Sequence, residues 1–472
     1  MPDITFLGAA GTVTGSRYLL TSRGAAGKSG AAAMAGDERV LIDCGMYQGL
    51  KELRSRNWDP LPFSAPDLPF VVLTHAHIDH SGMLPRLVKQ GFKGAILATA
   101  ATFELAQLLL LDAAKLQEED ADFLNRKGLS QHKPALPLFD AADAEATLKR
   151  FTVRPYGEWT ELPQRMRFRF LNAGHLLGSG MIEMHVREAG AGETTILFSG
   201  DLGRYQVPLN PDPDSPPAVD YMLLESTYGD RKHPTDSLYD QLERVVKDTI
   251  GRRGILLIPA FAVGRAQQII YLLNMLMEQK RLPLMPIHLD SPMAIKATQI
   301  YSHHPSEQES TGELTARNVI CHSTVEESKA LNSLQGPGIL ISSSGMLTGG
   351  RILHHLKRLL PDPRNTVALA GYQAAGTRGR LMQDGAKTIR IHNEEVAVGA
   401  HLEDLSGFSG HADADEIMRW LGRPARPPKT IFLTHGEPAA ATALAERIRK
   451  ENGWTVRVPK LGEVADLTPS VV

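Results

Sequence analysis

Apolar residues in this chain come in short runs broken by glycine-, proline- and aspartate-rich turns, and two spacings alternate along it. Ile4–Leu7, Arg17–Leu20, Val40–Asp43 and Phe70–Thr74 are strand-length runs. Thr102–Lys127 changes period. Phe103, Leu105, Leu108, Leu109, Leu116 and Phe123 recur at helical spacing, which predicts a helix burying those residues as a core stripe. Met166–Leu171, Met181–Val186 and Thr194–Phe198 return to strands. Ser22–Gly36 is rich in Gly, Ala and Ser without any period, and reads as an enlarged, mobile hairpin loop.

Asn210–Pro217 carries four prolines in eight residues, which forbids regular structure and reads as a linker. A second series of units follows it. Gly254–Ile258, Ile287–Leu289, Gly338–Ser342 and Thr366–Ala370 are expected strands, with helices at Gly264–Gln279 and Arg351–Leu360. That alternation predicts an α/β domain with a largely parallel sheet. Beyond Val396 come a helix, a strand at Thr430–Thr434 and a final helix.

Length and charge bound the function without naming it. The 472 residues suffice for two to three domains' worth of core. With 51 basic and 53 acidic residues the formal charge is −2, so no global field announces a polyanionic partner, although a local basic cleft would not show in that total. Two cysteines, Cys44 and Cys321, lie far apart, which argues against a disulfide framework or a cysteine-based zinc site. The N-terminus lacks the basic and apolar regions of a signal peptide, and no run approaches the roughly 18 apolar residues of a membrane span. A cytoplasmic protein with no membrane partner is expected.

The chemistry is concentrated in Leu73-Thr74-His75-Ala76-His77-Ile78-Asp79-His80. If the preceding strand continues through it, alternate residues share a face and His75 and His77 aim at one ion. Where the chain turns, Asp79 and His80 can reach a second. Imidazole with a few carboxylates suits zinc, while ligand type alone leaves iron and manganese open. Gly174-His175 and Gly200-Asp201 place two more ligand types in glycine-flanked turns. Asp43, at a strand end, is placed to accept a hydrogen bond from a ligand histidine. The pairs His354-His355 and His303-His304 are not read as chelators, because adjacent helical residues point about 100° apart.

The His-x-His-x-Asp-His pattern resembles the metallo-β-lactamase superfamily. Its usual last ligand histidine has a counterpart in Thr434-His435-Gly436, 435 − 201 = 234 residues after Asp201, so a whole domain is inserted between them. Leu224-Glu225-Ser226-Thr227, Gly410-His411-Ala412-Asp413 and Thr434-His435-Gly436 resemble motifs A, B and C of the β-CASP branch of RNA-processing nucleases. Ile258–Gln267, Ser344-Gly345-Met346 and Gly349-Gly350-Arg351 resemble signatures of its inserted domain. The resemblance implies a metallo-β-lactamase αββα sandwich (residues 1–209 and 395–472) with an inserted α/β β-CASP domain (210–394). It implies two Zn(2+) per chain, one on His75, His77 and His175, the other on Asp79, His80 and His435, with Asp201 bridging. His411 is then the expected general acid, with Glu225 favouring its charged form and Asp79 also in the catalytic set. Arg265, Arg351 and Arg378, beside glycine turns, are the candidate phosphate grips.

These expectations describe a zinc-dependent ribonuclease cutting single-stranded RNA to 5′-phosphate and 3′-hydroxyl ends, with endonuclease action favoured. A 5′-to-3′ exoribonuclease and a DNA nuclease of the same fold are the alternatives. A homodimer is left open.

Overall fold

Residues 2–22, 38–129, 133–163, 165–188, 192–307, 314, 316–374, 376–422, 424 and 426–468 are described by the computed structural model. They divide into two units. The first comprises 1–205, 212–232 and 411–472, the second 206–211 and 233–410.

Two seven-stranded sheets form the first unit. One runs in the order Val464–Asp466, Asp3–Phe6, Tyr18–Ser22, Glu38–Ile42, Phe70–Val72, Ala95–Ala98, Phe151–Val153. Ser22 pairs with Glu38, so the expected hairpin is present at its base, while residues 23–37 of the expected loop lie outside the described residues. The other sheet runs Val456–Arg457, Thr430–Thr434, Tyr221–Glu225, Gly192–Phe198, Gly180–Glu188, Met166–Asn172, Thr160–Leu162. Alternation decides its faces. Along Met166–Asn172, Met166, Phe168 and Phe170 are buried while Arg167 and Arg169 point away. The inward set meets Ile4, Phe6, Leu20, Val40, Ile42 and Val72 of the first sheet in one core. On its other face, Leu197, Met222, Leu224, Ile431 and Leu433 pack under the helices Ala414–Leu421 and Pro438–Asn452. Helix Ala100–Lys127 flanks the first sheet, where the Phe103 ring lies tilted with its centroid 5.1 Å from that of Phe151, which makes the αββα sandwich.

That long helix starts where the Thr99 side chain accepts from the Thr102 N–H and stops at Gly128 with φ 62°. Its expected stripe is only half buried. Leu105 and Leu109 are core, but Leu116 and Phe123 are 53% and 47% exposed, because the last turns run past the body they pack on.

The second unit is built on a six-stranded, all-parallel sheet in the order Val319–Cys321, Ile287–Asp290, Gly338–Ser342, Ile255–Pro259, Thr366–Leu369, His401–Asp404. Its central strands Ile255–Pro259 and Gly338–Ser342 are continuous buried apolar runs, as strands covered on both faces require, while the edge strands Val319–Cys321 and His401–Asp404 are largely exposed. The boundaries differ from those expected at 210 and 394. The proline run begins in the second unit at 210–211 and returns to the sandwich from 212, leading into Tyr221–Glu225, which pairs in parallel with both Gly192–Phe198 and Thr430–Thr434. At the return, His401–Asp404 still pairs with Thr366–Leu369, so the second unit extends to Gly410.

Phe168 is fully buried and Leu116 is not. Phe168→Ala is therefore expected to cost about 3–5 kcal/mol, and Leu116→Ala to stay within about 0.5 kcal/mol. Urea denaturation of both variants checks this, and equal losses would refute the assigned burial.

Candidate metal centre

Strand ends collect the ligand-type residues. Strand Phe70–Val72 stops before the histidines, so His75 and His77 lie in a loop rather than alternating along a strand, contrary to the strand-face expectation. His77 opens a short helix, Ile78–Ser81, that carries Asp79 and His80. The main chain clamps this turn from two nearby segments: the N–H groups of Ser16, Cys44 and Met46 donate to the carbonyls of Asp79, His80 and Ile78 at 2.8, 2.7 and 3.0 Å. Gly45 has no alternative, since a Cβ there would sit 1.6 Å from the Asp79 carbonyl oxygen. In the second sheet, the neighbouring parallel strands Gly192–Phe198, Tyr221–Glu225 and Thr430–Thr434 end side by side and deliver Asp201, Glu225 and His435. His175 comes from the turn 173–179, where its N–H donates to Ser179 Oγ at 3.1 Å. Asp43 and His435 hold φ of 57° and 47°, a region costly for side chains of this kind and kept where surroundings enforce it.

All seven expected ligand residues converge, and they do so in two sets. His75 Nε2 lies 3.1 Å from His77 Nδ1, and His175 Nε2 lies 3.3 Å from the same atom. Asp201 Oδ2 is 3.4 and 3.6 Å from the His75 and His175 nitrogens. Ligands on a tetrahedral ion with bonds of ~2.0–2.1 Å stand about 3.3 Å apart, and these spacings bracket that edge. In the other set, His80 Nε2 and His435 Nδ1 lie 3.1 and 3.5 Å from Asp201 Oδ1, and His435 Nε2 lies 3.4 Å from Asp79 Oδ2. Hydrogen atoms cannot satisfy such a set, because His77 Nδ1 faces two other ring nitrogens at once. The residues fit divalent cations in both sets.

Protonation tendencies agree with that fit. Burial, reinforced by His80, pushes His75 down to about 3. Burial likewise lowers His77 to about 4 and holds His175 well below its ordinary value. Asp201 is also buried, yet His435, His80 and His75 hold it well below the usual carboxylate range. Asp79 is lowered as well, its burial outweighed by His435 and His80. Neutral imidazoles beside ionised carboxylates are ready ligands. His80 runs the other way. Burial is overcome by Asp201 and Asp43, which raise it well above 6.5, and the pair that draws a proton there would draw any cation.

Surrounding groups orient the ligands. Asp43 accepts from His80 Nδ1 at 2.7 Å and from the Thr74 N–H and hydroxyl at 2.8 Å each. Thr74 Oγ1 also lies 3.1 Å from His75 Nδ1, and Thr227 Oγ1 lies 3.1 Å from His435 Nδ1. The two threonines are absent from the sequence-based set. The one local signal was their place beside the ligand motifs, Thr74 immediately before His75 and Thr227 two residues after Glu225.

His411 approaches from a different segment. Its Nδ1 lies 3.0 Å from Glu225 Oε1, and its Nε2 lies 4.0 Å from Asp201 Oδ2, longer than the Asp201 contacts of His75, His80, His175 and His435, although His411 also groups with Asp201 and His435 within metal-ligating reach. Glu225 is fixed by the N–H groups of Leu202 at 2.7 Å and Thr227 at 3.2 Å. Burial disfavours the imidazolium, but Glu225 and then Asp201 outweigh it and raise His411 to about 9. Asp413 caps the helix behind it through a capping box with Glu416.

The candidate phosphate-gripping arginines are spread over the second unit and held by protein acceptors. Arg351 donates to Asp290 Oδ1 at 2.7 Å and to the carbonyls of His322 and Ser323 at 2.9 and 2.8 Å. Arg378 donates to the carbonyls of Arg390 and Leu347 at 2.7 and 3.0 Å. Arg265, at the start of helix Arg265–Glu278, donates to Gln268. These acceptors anchor the Arg351 and Arg378 side chains in the second unit. Of the pair set aside as chelators, His355 is buried against Asp290 at 2.6 Å and His354 is exposed, so the two do diverge.

This sandwich, with its histidine–aspartate centre at the strand ends, defines a metal-dependent hydrolase. The metallo-β-lactamase superfamily matches residues 31–245, the Beta-Casp domain residues 266–382, and the Zn-dependent metallo-hydrolase RNA specificity domain residues 395–459. The chain belongs to the β-CASP family of the metallo-β-lactamase superfamily. It is 38% identical over 468 residues to Ribonuclease TTHA0252 of Thermus thermophilus, covering 97% of this chain and 98% of that protein. It is 31% identical over 439 residues to transcription termination factor FttA of Methanosarcina mazei, covering 88% of this chain and 66% of that one. A solved protein of unknown function from Enterococcus faecalis shares the fold, with TM-score 0.54 and 12% identity over 98% of this chain and 99% of that one. Among the described residues no helix is long and apolar enough to cross a membrane.

Arg351 neutralises a fully buried carboxylate that also takes His355 and Ser328. Burial raises the Asp290 pKa, and His355, Ser328 and Arg351 more than reverse this, leaving it lowered. A depressed carboxylate contributes stability that is full above its unfolded value of about 3.9 and is lost as pH falls through the folded one. Arg351→Ala is expected to cost about 1–3 kcal/mol near neutral pH and to move acid unfolding to higher pH. An unchanged acid midpoint in a circular-dichroism titration would count against this role.

Proposed function

We propose that this chain is a two-zinc ribonuclease that hydrolyses phosphodiester bonds of single-stranded RNA, leaving 5′-phosphate and 3′-hydroxyl ends, with endonucleolytic cleavage as its main mode. The observation that carries this reading is the convergence of two ligand sets on the single carboxylate of Asp201, with the His411–Glu225 pair 3.0 Å apart beside it. The match of residues 395–459 to an RNA specificity domain and the ribonuclease at 38% identity favour RNA over DNA. Two unpaired cysteines suit a reducing, cytoplasmic setting.

His75, His77 and His175 would hold one ion, Asp79, His80 and His435 the other, and Asp201 would contribute an oxygen to each. When bound, such ions lower the pKa of water and neutralise charge on the phosphate. The remaining roles fall to the chain. Asp79, kept ionised, can orient the attacking water. The departing 3′ oxygen needs a proton as its bond to phosphorus breaks. His411 Nε2 is placed to donate it, since Nδ1 is engaged by Glu225 and the ring is held cationic. Glu225, pinned by two main-chain N–H groups, fixes the ring and favours its charge.

The decisive experiment uses a 5′-labelled single-stranded RNA beside the DNA of the same sequence. Internal RNA fragments whose formation stops with a chelator are expected. Stepwise release of 5′ mononucleotides would establish the exonuclease instead, and equal cutting of DNA would overturn the RNA assignment.

His411→Ala is expected to keep its metal content and to lose about 10²–10⁴-fold in turnover, with partial recovery on an aryl phosphodiester whose leaving group needs no proton. In wild type, the acid must be protonated, so turnover falls as pH rises through the His411 value. Glu225→Gln removes the largest group raising that value, and the alkaline limb should therefore move to lower pH. A limb that stays in place in Glu225→Gln, or full activity in His411→Ala, removes His411 from this role.

A further inference from the structure

The segment that carries Glu225 also grips His435. Ser226 Oγ donates to the Thr434 carbonyl at 2.8 Å, and the Ser226 N–H donates to the His435 carbonyl at 3.2 Å. Gly436 makes this approach possible, because a Cβ there would fall 2.2 Å from Ser226 Oγ. The next residue, Thr227, is 5% exposed and places its hydroxyl between two atoms of His435: the carbonyl oxygen at 3.1 Å and ring Nδ1 at 3.1 Å.

A carbonyl oxygen only accepts, so the single hydroxyl proton of Thr227 goes there. Its lone pair then faces Nδ1, which must carry the ring proton. That choice leaves Nε2 with a free lone pair on the side of Asp79, 3.4 Å from Oδ2. The opposite tautomer would aim Nε2–H at Asp79 across a long 3.4 Å gap and take the hydroxyl away from the carbonyl. Asp201 Oδ1 is the rival partner for Nδ1, but at 3.5 Å it is farther than Thr227, and it lies 3.1 Å from His80 Nε2. The Thr227 N–H meanwhile donates to Glu225 Oε2 at 3.2 Å, so one residue touches both the His435 ring and the carboxylate that holds His411.

We propose that Thr227 is a positioning residue whose hydroxyl, donating to the His435 carbonyl and accepting from His435 Nδ1–H, fixes the tautomer that presents Nε2 to a divalent cation at the Asp79, His80 and His435 set. The proposal rests on the two-ion reading above. It makes Thr227 specific to one of the two ions, since no contact of Thr227 reaches His75, His77 or His175 among those described.

Thr227→Val keeps the shape and removes the hydroxyl, and Thr227→Ser keeps the hydroxyl and removes the methyl. Full-length proteins are dialysed against chelator-buffered zinc, and bound zinc is measured as a function of free zinc, with a thermal melt to confirm folding. The expected result is that Thr227→Val binds one zinc as wild type does and the other about 10–100-fold more weakly, while Thr227→Ser restores it. Thr227→Ala replaces the valine variant if the latter does not fold. Three outcomes overturn the proposal: both ions held as in wild type without the hydroxyl, both weakened equally, or serine as weak as valine. A wild-type protein that never binds a second zinc would instead refute the two-ion reading.

Discussion

Asp201 is the constraint on which the first unit depends. Its carboxylate is 2% exposed, and four imidazoles from three separate segments lie within 3.6 Å of it. A lone buried carboxylate would cost several kcal/mol and would protonate instead. Here it stays ionised because histidines surround it, and those histidines are held there by the register of two sheets. Moving strand Thr430–Thr434 by one residue against Tyr221–Glu225 would turn His435 away and separate it from Glu225's end of the sheet. The core matters to the chemistry for this reason. Phe198, Leu223 and Phe432 pack inward side by side, and that packing sets where the following residues emerge.

How much of this was legible in the sequence depended on distance along the chain. His75, His77, Asp79 and His80 lie within six residues, and their residue types announce a metal site even though the strand geometry imagined for them was wrong. His175, Asp201 and His435 are isolated residues in glycine-flanked turns. Nothing local separates them from ordinary turn residues, so only the resemblance of their motifs to a known family joined them to the site. Thr74 and Thr227 had no such help. Threonine is common, and its role depends on which atom lies across from it in three dimensions.

The arginines show the same limit from the other side. Arg351 sits in a Gly-Gly-Arg turn that suggests a phosphate site, yet its guanidinium is taken by Asp290, 61 residues earlier. Local context describes what a side chain is suited to bind, not which acceptor reaches it first. The exposed turns of helix Ala100–Lys127 make the parallel point for packing: a helical period marks a stripe but not the point at which the core beneath it ends. The proline run similarly marked a break in regular structure without telling whether the chain changed units there, since a parallel strand could resume immediately after it.

The charges at the centre suggest why hydroxyls, rather than further carboxylates, finish the job of orientation. Asp43, Asp79, Asp201 and Glu225, linked through the rings of His80, His435 and His411, can bring up to four negative charges to the centre. Two divalent ions, held as proposed, would balance them: 4 − 4 = 0. The cationic ring of His411 then remains to meet the one negative charge of a phosphodiester. A further carboxylate in place of Thr74 or Thr227 would orient a histidine equally well, but it would cancel the charge of His411 and leave the loaded site with no net attraction for its substrate. A neutral hydroxyl directs a proton without adding charge. The tally therefore favours threonine at both positions where a ligand ring needs a partner beyond the carboxylates already present.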